Sequence, residues 1–306
     1  MALLQGKGAV MTASNEFARQ EAANASLRLF TEPLAGEPDA SAVGLLGRAA
    51  DPLRYSEGII DAHESPGIMR SFVPSNARVL DVGSGTGGVT EIVNRGKNNI
   101  VLCVEPDPLR ADSAKSRGLS VYTGPFDEEF AKLHGKFDAI TFGDVLEHVA
   151  DPAKMLSIAK RCLSPGGVII LSVPNVAHWI LRVGLLIGKF DYTETGIMDA
   201  THLRWFTQNT LVMLLANQGF EVVSLRHSAG LWMPEYRIIP YRIRKVLLFP
   251  LLRVFPRLFG CQHVLKAPTR ILLAPIDPHG PFSALYGAPS RNSAETATPH
   301  ASSFAA

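Results

Sequence analysis

The stretch Arg78–Gly88, RVLDVGSGTGG, limits the fold more than any other part of this chain. It begins as an apolar run of strand character, passes into a turn of small residues and opens a helix-period segment. Glycines 83, 85 and 87 permit tight or left-handed backbone and let a ligand approach main-chain N–H groups. The helix that starts beyond them presents partial positive charge, which suits a carboxylate or phosphate. A strand–turn–helix opening of this kind points to an α/β fold.

The remainder continues the alternation. Ala77–Val82, Ile100–Glu105, Leu119–Tyr122, Phe137–Phe142 and Val168–Val173 read as strands, and Gly87–Arg95, Pro108–Arg117 and Asp151–Leu163 as helices. Asp151-Pro152 supplies a capping side chain and a first-turn proline, and Pro165-Gly166-Gly167 marks the stop. Thr207 caps a further helix that ends near Gly219; strands follow at Phe220–Leu225 and Cys261–Lys266. The expected fold is α/β: a doubly wound, mostly parallel seven-stranded sheet with right-handed crossovers and an insert, about residues 229–260, before the last strand. The chain of 306 residues divides into a loosely ordered leader (1–51, with Met11 as an alternative start), one domain (52–275) and a disordered tail rich in Pro, Ser and Ala (276–306).

Composition excludes several classes. Charges sum to 30 − 28 = +2, which gives no electrostatic ground for a nucleic-acid partner. Cys103, Cys162 and Cys261 stand far apart and odd in number, which argues against a disulfide framework or zinc site and fits a reducing cytoplasm. No apolar run of about 18 residues occurs, so no membrane span is expected.

Glu105, in VLCVEPD, lies 105 − 81 = 24 residues beyond Asp81. A carboxylate at that strand end can accept hydrogen bonds from both hydroxyls of a ribose. Gly83, Gly85 and Gly88 also satisfy GxGxxG with an acid about 20 residues on, the pattern of an NAD-dependent dehydrogenase. Asp81 favours a different ligand. A buried, ionised strand-end carboxylate is costly unless it serves loop amides or a cation. S-adenosylmethionine offers an ammonium there and NAD does not. An Asp81 that only ties down the loop is the plainer alternative.

The motif resembles the nucleoside-binding segment of class I S-adenosylmethionine-dependent methyltransferases. FDAITFGDVLEHVADPAKML (Phe137–Leu156) is similar to that superfamily's fourth-strand motif, and LSPGGVIILSVPNVAHW (Leu163–Trp179) to its fifth-strand region. DATHLRWFTQNTLVMLLANQGFEVV (Asp199–Val223) resembles a downstream segment of branches that act on glycans, lipids or quinone-like molecules. The resemblance implies S-adenosylmethionine as cofactor, with Asp81, Gly83, Ser84, Gly85 and Gly87 around its methionine part and Glu105 on the ribose. Where the family places an acid near the adenine amine, TGPFDEEF has Pro125, leaving Phe126 to flank the adenine and Asp127 to supply the carboxylate. Asp144 is expected to line the cofactor.

Methyl transfer to a hydroxyl is helped by a general base, most often histidine. His148 and His178 follow the fourth and fifth strands and His202 opens HLRWFT; each is a candidate base, and each has a local structural role as its alternative. His134 is expected at the surface. Asp144, Glu147 and His148 resemble a divalent-cation site of quinone-type O-methyltransferases, but a cofactor-lining Asp144 and a Glu147 that braces the next helix are the favoured reading, and no metal is assigned. The reading is a methyltransferase acting on a small-molecule, glycan or lipid-linked acceptor, at oxygen in preference to nitrogen or carbon. A non-catalytic binding or membrane-docked module is its rival.

From Leu231 to Arg270 eight Arg or Lys oppose one acid, Glu235, among aromatic and aliphatic residues, with Pro240, Pro250 and Pro256 breaking the segment into short pieces. Two readings stand: an interfacial element on anionic membrane at the inner face, or a lid over the cleft.

Overall fold

The computed structural model describes Leu53, residues 61–230 and residues 241–270. The expected leader and tail lie outside the described residues, as do Trp232, Glu235, Arg237 and Pro240 of the insert.

Seven strands form one sheet in the order β3-β2-β1-β4-β5-β7-β6. They are β1 Arg78–Val82, β2 Ile100–Glu105, β3 Ser120–Thr123, β4 Phe137–Gly143, β5 Leu163–Pro174, β6 Ser224–His227 and β7 Gln262–Pro268. The first five run parallel, while β7 is antiparallel to both β5 and β6.

Alternation along the strands builds two cores. Leu80, Ile140, Phe142, Ile169 and Leu171 pack on one face with Phe130, Leu156, Leu211 and Leu215 from helices Glu128–Leu133, Pro152–Cys162 and Gln208–Asn217. Val79, Ala139, Ile170 and Val264 pack on the other with Ile68, Met69 and Val93 of helices Ser65–Phe72 and Gly88–Asn94. The period of two therefore sends Asp81 and Thr141, register partners, to the side of the helix that follows the glycine loop.

The differences from expectation lie mostly at element ends. β5 starts at Leu163 because Gly166, at φ 77°, lets Pro165-Gly166-Gly167 stay within the strand as a bulge between the Phe137↔Leu163 and Ala139↔Val168 pairs. The ladder of β6 was expected at Phe220–Leu225 and regularises only at Ser224. Phe220 bridges Thr269, but the register has moved by one residue when Ser224 meets Lys266. Pro250 does not break the insert: it sits inside the 14-residue helix Tyr241–Val254, which tolerates the missing N–H there. Pro256 does begin a new short helix, Pro256–Phe259. All three cysteines are buried. His134 is half-buried, stacked on Phe130 at 4.3 Å, rather than free at the surface.

Candidate active site

The glycine loop and the ends of β1, β2, β4 and β5 meet at the carboxyl edge of the sheet, where doubly wound proteins hold ligands. Gly83, Gly85 and Gly87 all have positive φ, at 70°, 56° and 83°. A Cβ on Gly83 would stand 2.7 Å from Val145 Cγ2, and one on Gly87 2.4 Å from Leu119 Cδ1, so either substitution would push a neighbouring side chain aside. Gly85 differs. Nothing lies within 4 Å of its notional Cβ, so its main chain borders open space. Its N–H donates to Glu105 Oε2 at 2.7 Å, while the N–H of Asp107 donates to Oε1 at 3.0 Å. Glu105 is thus buried at the foot of the open glycine and aimed by two backbone amides.

Beneath the loop, Asp81 accepts hydrogen bonds from the hydroxyls of Thr90 and Thr141, each at 2.5 Å. Burial pushes its carboxyl above the usual carboxylate range, although the two hydroxyls pull the other way. Asp81 therefore ties the helix Gly88–Asn94 and β4 to β1.

Asp144 caps β4 with φ 55°, a left-handed conformation that a non-glycine residue adopts only under local constraint. Ser172 Oγ donates to its Oδ1 at 2.9 Å and Gln262 Nε2 to its Oδ2 at 2.7 Å. Burial raises its pKa to about 6 despite both donors.

Two expected adenine neighbours have local duties. The Phe126 ring packs in the larger core against Phe130 and Phe142. Asp127 is the N-cap of Glu128–Leu133, its Oδ1 accepting from the N–H groups of Glu129 and Phe130. Both residues follow Pro125 directly, where the chain passes from β3 into the helix Glu128–Leu133.

The candidate histidines separate into two groups. His148 and His202 come together, their rings 4.8 Å apart, and Glu147 joins them with ligand-type atoms within 4.8 Å of one another. His148 Nδ1 lies 3.3 Å from the carbonyl oxygen of Thr201 and 3.2 Å from its hydroxyl, which donates to Asp199 Oδ1 at 2.7 Å. A carbonyl only accepts, so a hydrogen bond from Nδ1 to Thr201 needs the proton on Nδ1. His202 Nδ1 is held by the carbonyl of Ile197 at 3.0 Å. Glu147 is buried with neither carboxylate oxygen hydrogen-bonded among the described residues, and burial holds it well above the usual range. Among the described residues, the group that could take a cation is Glu147, His148 and His202, while the oxygens of Asp144 are engaged by Ser172 and Gln262.

His178 does not join them. It is fully buried at the N-terminus of helix Trp179–Leu186, against the backbone of Phe259, and burial lowers its pKa to about 4. The insert covers it, so it is a structural histidine and not a base at the site edge. Asp199, Thr201 and Gln262 were missed as contributors. The first two lie in the DATHLRWF segment that had already stood out; Gln262 gave no local signal.

The strand order separates the two readings of the glycine loop. An antiparallel β7 is wedged between β5 and β6, whereas the dinucleotide fold runs 3-2-1-4-5-6 in parallel. A family model for a methyltransferase domain matches residues 48–225, more than half of the chain. The chain belongs to this methyltransferase family. It is a class I member, of the S-adenosylmethionine-dependent superfamily. It is 31% identical over 139 residues to the tRNA 5-carboxymethoxyuridine methyltransferase of Escherichia coli strain K12, covering 42% of this chain and 52% of that protein. It is 35% identical over 134 residues to the ubiquinone biosynthesis O-methyltransferase of Actinobacillus pleuropneumoniae, covering 41% and 56%. The aligned region thus spans little more than half the length of these curated relatives. A crystal structure of an Archaeoglobus fulgidus SAM-dependent methyltransferase superposes over 67% of this chain and 95% of that one, with 17% identity and a TM-score of 0.47.

Proposed function

We propose that this protein transfers a methyl group from S-adenosylmethionine to an oxygen of a small-molecule, glycan or lipid-linked acceptor. The observation that supports this best is His148, held against Thr201 beside His202 and Glu147 at the sheet edge.

The methyltransferase site fits the cofactor's parts. Gly85 leaves open space and main chain beside Glu105, so Glu105 would take the ribose and the loop at Gly83, Ser84, Gly85 and Gly87 would surround the amino-acid portion. Asp81 acts from below as a charge, since threonine hydroxyls already engage both its oxygens; a bound ammonium would favour its ionised form. Asp144 is held where it can line the cofactor. When bound, S-adenosylmethionine supplies a sulfonium-activated methyl, so the protein has mainly to align the acceptor and exclude water. His148 Nε2 accepts the acceptor's hydroxyl proton, while the Thr201–Asp199 pair steadies the ring.

The test is incubation with methyl-labelled S-adenosylmethionine and fractionated lipid-soluble and water-soluble extracts. Label should enter one fraction, and His148→Ala should lower that turnover about 10²–10⁴-fold with S-adenosylhomocysteine affinity unchanged. Cofactor binding without any labelled product would favour a non-catalytic binding module, and full activity in His148→Ala would remove the base.

A further inference from the structure

We infer that the surface made by the helices Trp179–Leu186 and Tyr241–Val254 docks the protein on an anionic lipid bilayer. The two helices come from segments far apart in sequence, each leaving the sheet at its carboxyl edge. Trp179, Ile180 and Leu181 of the first pack with Leu248 of the second around buried Cys261 and Ile197. Asn175 Nδ2 fastens the end of the insert to β5 through the carbonyls of Arg257 and Gly260, at 3.1 and 2.8 Å.

With its inner side used for this packing, the insert helix would ordinarily present polar residues outward. It does the opposite. Ile243, Val246, Leu247, Leu251 and Val254 recur at helical spacing and are all exposed. In the first helix and just past it, Leu185, Leu186 and Ile187 are exposed as well. Leu186 at 85% and Val246 at 72% keep most of their surface in water, which is costly on a protein that stays in solution.

Charge identifies the occupant. Neither helix contains an acid, and among the described side chains Arg182, Lys189, Arg253 and Arg257 are exposed cations in or beside these helices. A second copy meeting this face would oppose these cations to one another, whereas anionic headgroups complement them. A helix with an apolar side and basic neighbours, too short to span, lies in the headgroup plane. Gln262, the first residue of the strand after the insert, bonds Asp144, so the docking element is joined directly to the candidate active site.

The experiment is flotation of the full chain with large unilamellar vesicles of phosphatidylglycerol–phosphatidylethanolamine or of phosphatidylcholine alone. The protein should float with the anionic vesicles, largely stay behind with the neutral ones and be released by high salt. Leu186→Glu with Leu247→Glu should abolish flotation. Lys189→Gln with Arg253→Gln should weaken it, by about fivefold in partitioning for each charge removed. Thermal melting and S-adenosylhomocysteine titration report that the variants remain folded, since every substituted side chain is exposed. Equal recovery with both vesicle types, or flotation unaffected by the two Glu substitutions, would overturn the inference. So would a dimer that the same substitutions convert to monomers without any vesicle binding, because the occupant would then be a second copy.

Discussion

Replacing Glu105 tests the ribose site, but the structure shows that the residue also holds the loop. Its two oxygens accept from the N–H groups of Gly85 and Asp107, at 2.7 and 3.0 Å. Glu105→Ala leaves both amides without their charged acceptor. At about 1.5–3 kcal/mol for a hydrogen bond to a charged group, reduced for the half-buried Asp107 that water can reach, the fold should lose roughly 2–4 kcal/mol. Weaker cofactor binding could then mean only a slack loop. S-adenosylhomocysteine analogues lacking the 2′- or 3′-hydroxyl separate the two roles by calorimetry. On the native protein each missing hydroxyl should cost about 1–2 kcal/mol, roughly five- to thirtyfold in Kd. On Glu105→Ala the analogues and the parent compound should bind alike, because the acceptor is gone. A hydroxyl penalty that survives in the variant would show that Glu105 only staples the loop.

Gly83→Ala should cost about 1–3 kcal/mol in chemical denaturation, since its Cβ meets Val145 in a left-handed turn, whereas Gly85→Ala should cost about 1 kcal/mol and chiefly weaken S-adenosylhomocysteine binding. Equal stability losses in the two would refute the distinction between a packed and an open glycine. Burial of His263 lowers its pKa from the ordinary 6.5 to about 3, and the neighbouring His227 and Arg257 push the same way. The unfolded chain therefore binds the extra proton first, and stability present above about pH 6.5 drains away as acid is added. Between about pH 7 and pH 5 this group alone costs about 2 kcal/mol, so acidification should destabilise His263→Leu by about that much less than the native protein. Denaturation curves that shift in parallel would mean that His263 is not held neutral.

The legible parts of the molecule were those written into short stretches of chain. A strand, three glycines and a helix follow one another within Arg78–Asn94, and the acid ending β2 needs only the neighbouring strand to reach the loop. His148 and His202 were also visible, because each sits in a compact motif. What escaped was set by partners distant in sequence. Thr141 reaches Asp81 from 60 residues away and Gln262 reaches Asp144 from 118, and neither has a flanking pattern that announces it. His178 occupies the right strand end, yet the insert returning some 80 residues later encloses it through Phe259. Phe126 and Asp127 have local contacts as well, a core packing and a helix cap, which short-range pattern did not announce. Pro250 shows the weakness of reading punctuation alone, since packing kept the helix through it.

The most direct measurement is a calorimetric titration of the purified chain with S-adenosylhomocysteine, followed by NADH in a parallel cell. Saturable binding of one S-adenosylhomocysteine per chain, weakened in Glu105→Ala and indifferent to NADH, is the expected result. Heat from NADH with none from S-adenosylhomocysteine would contradict it.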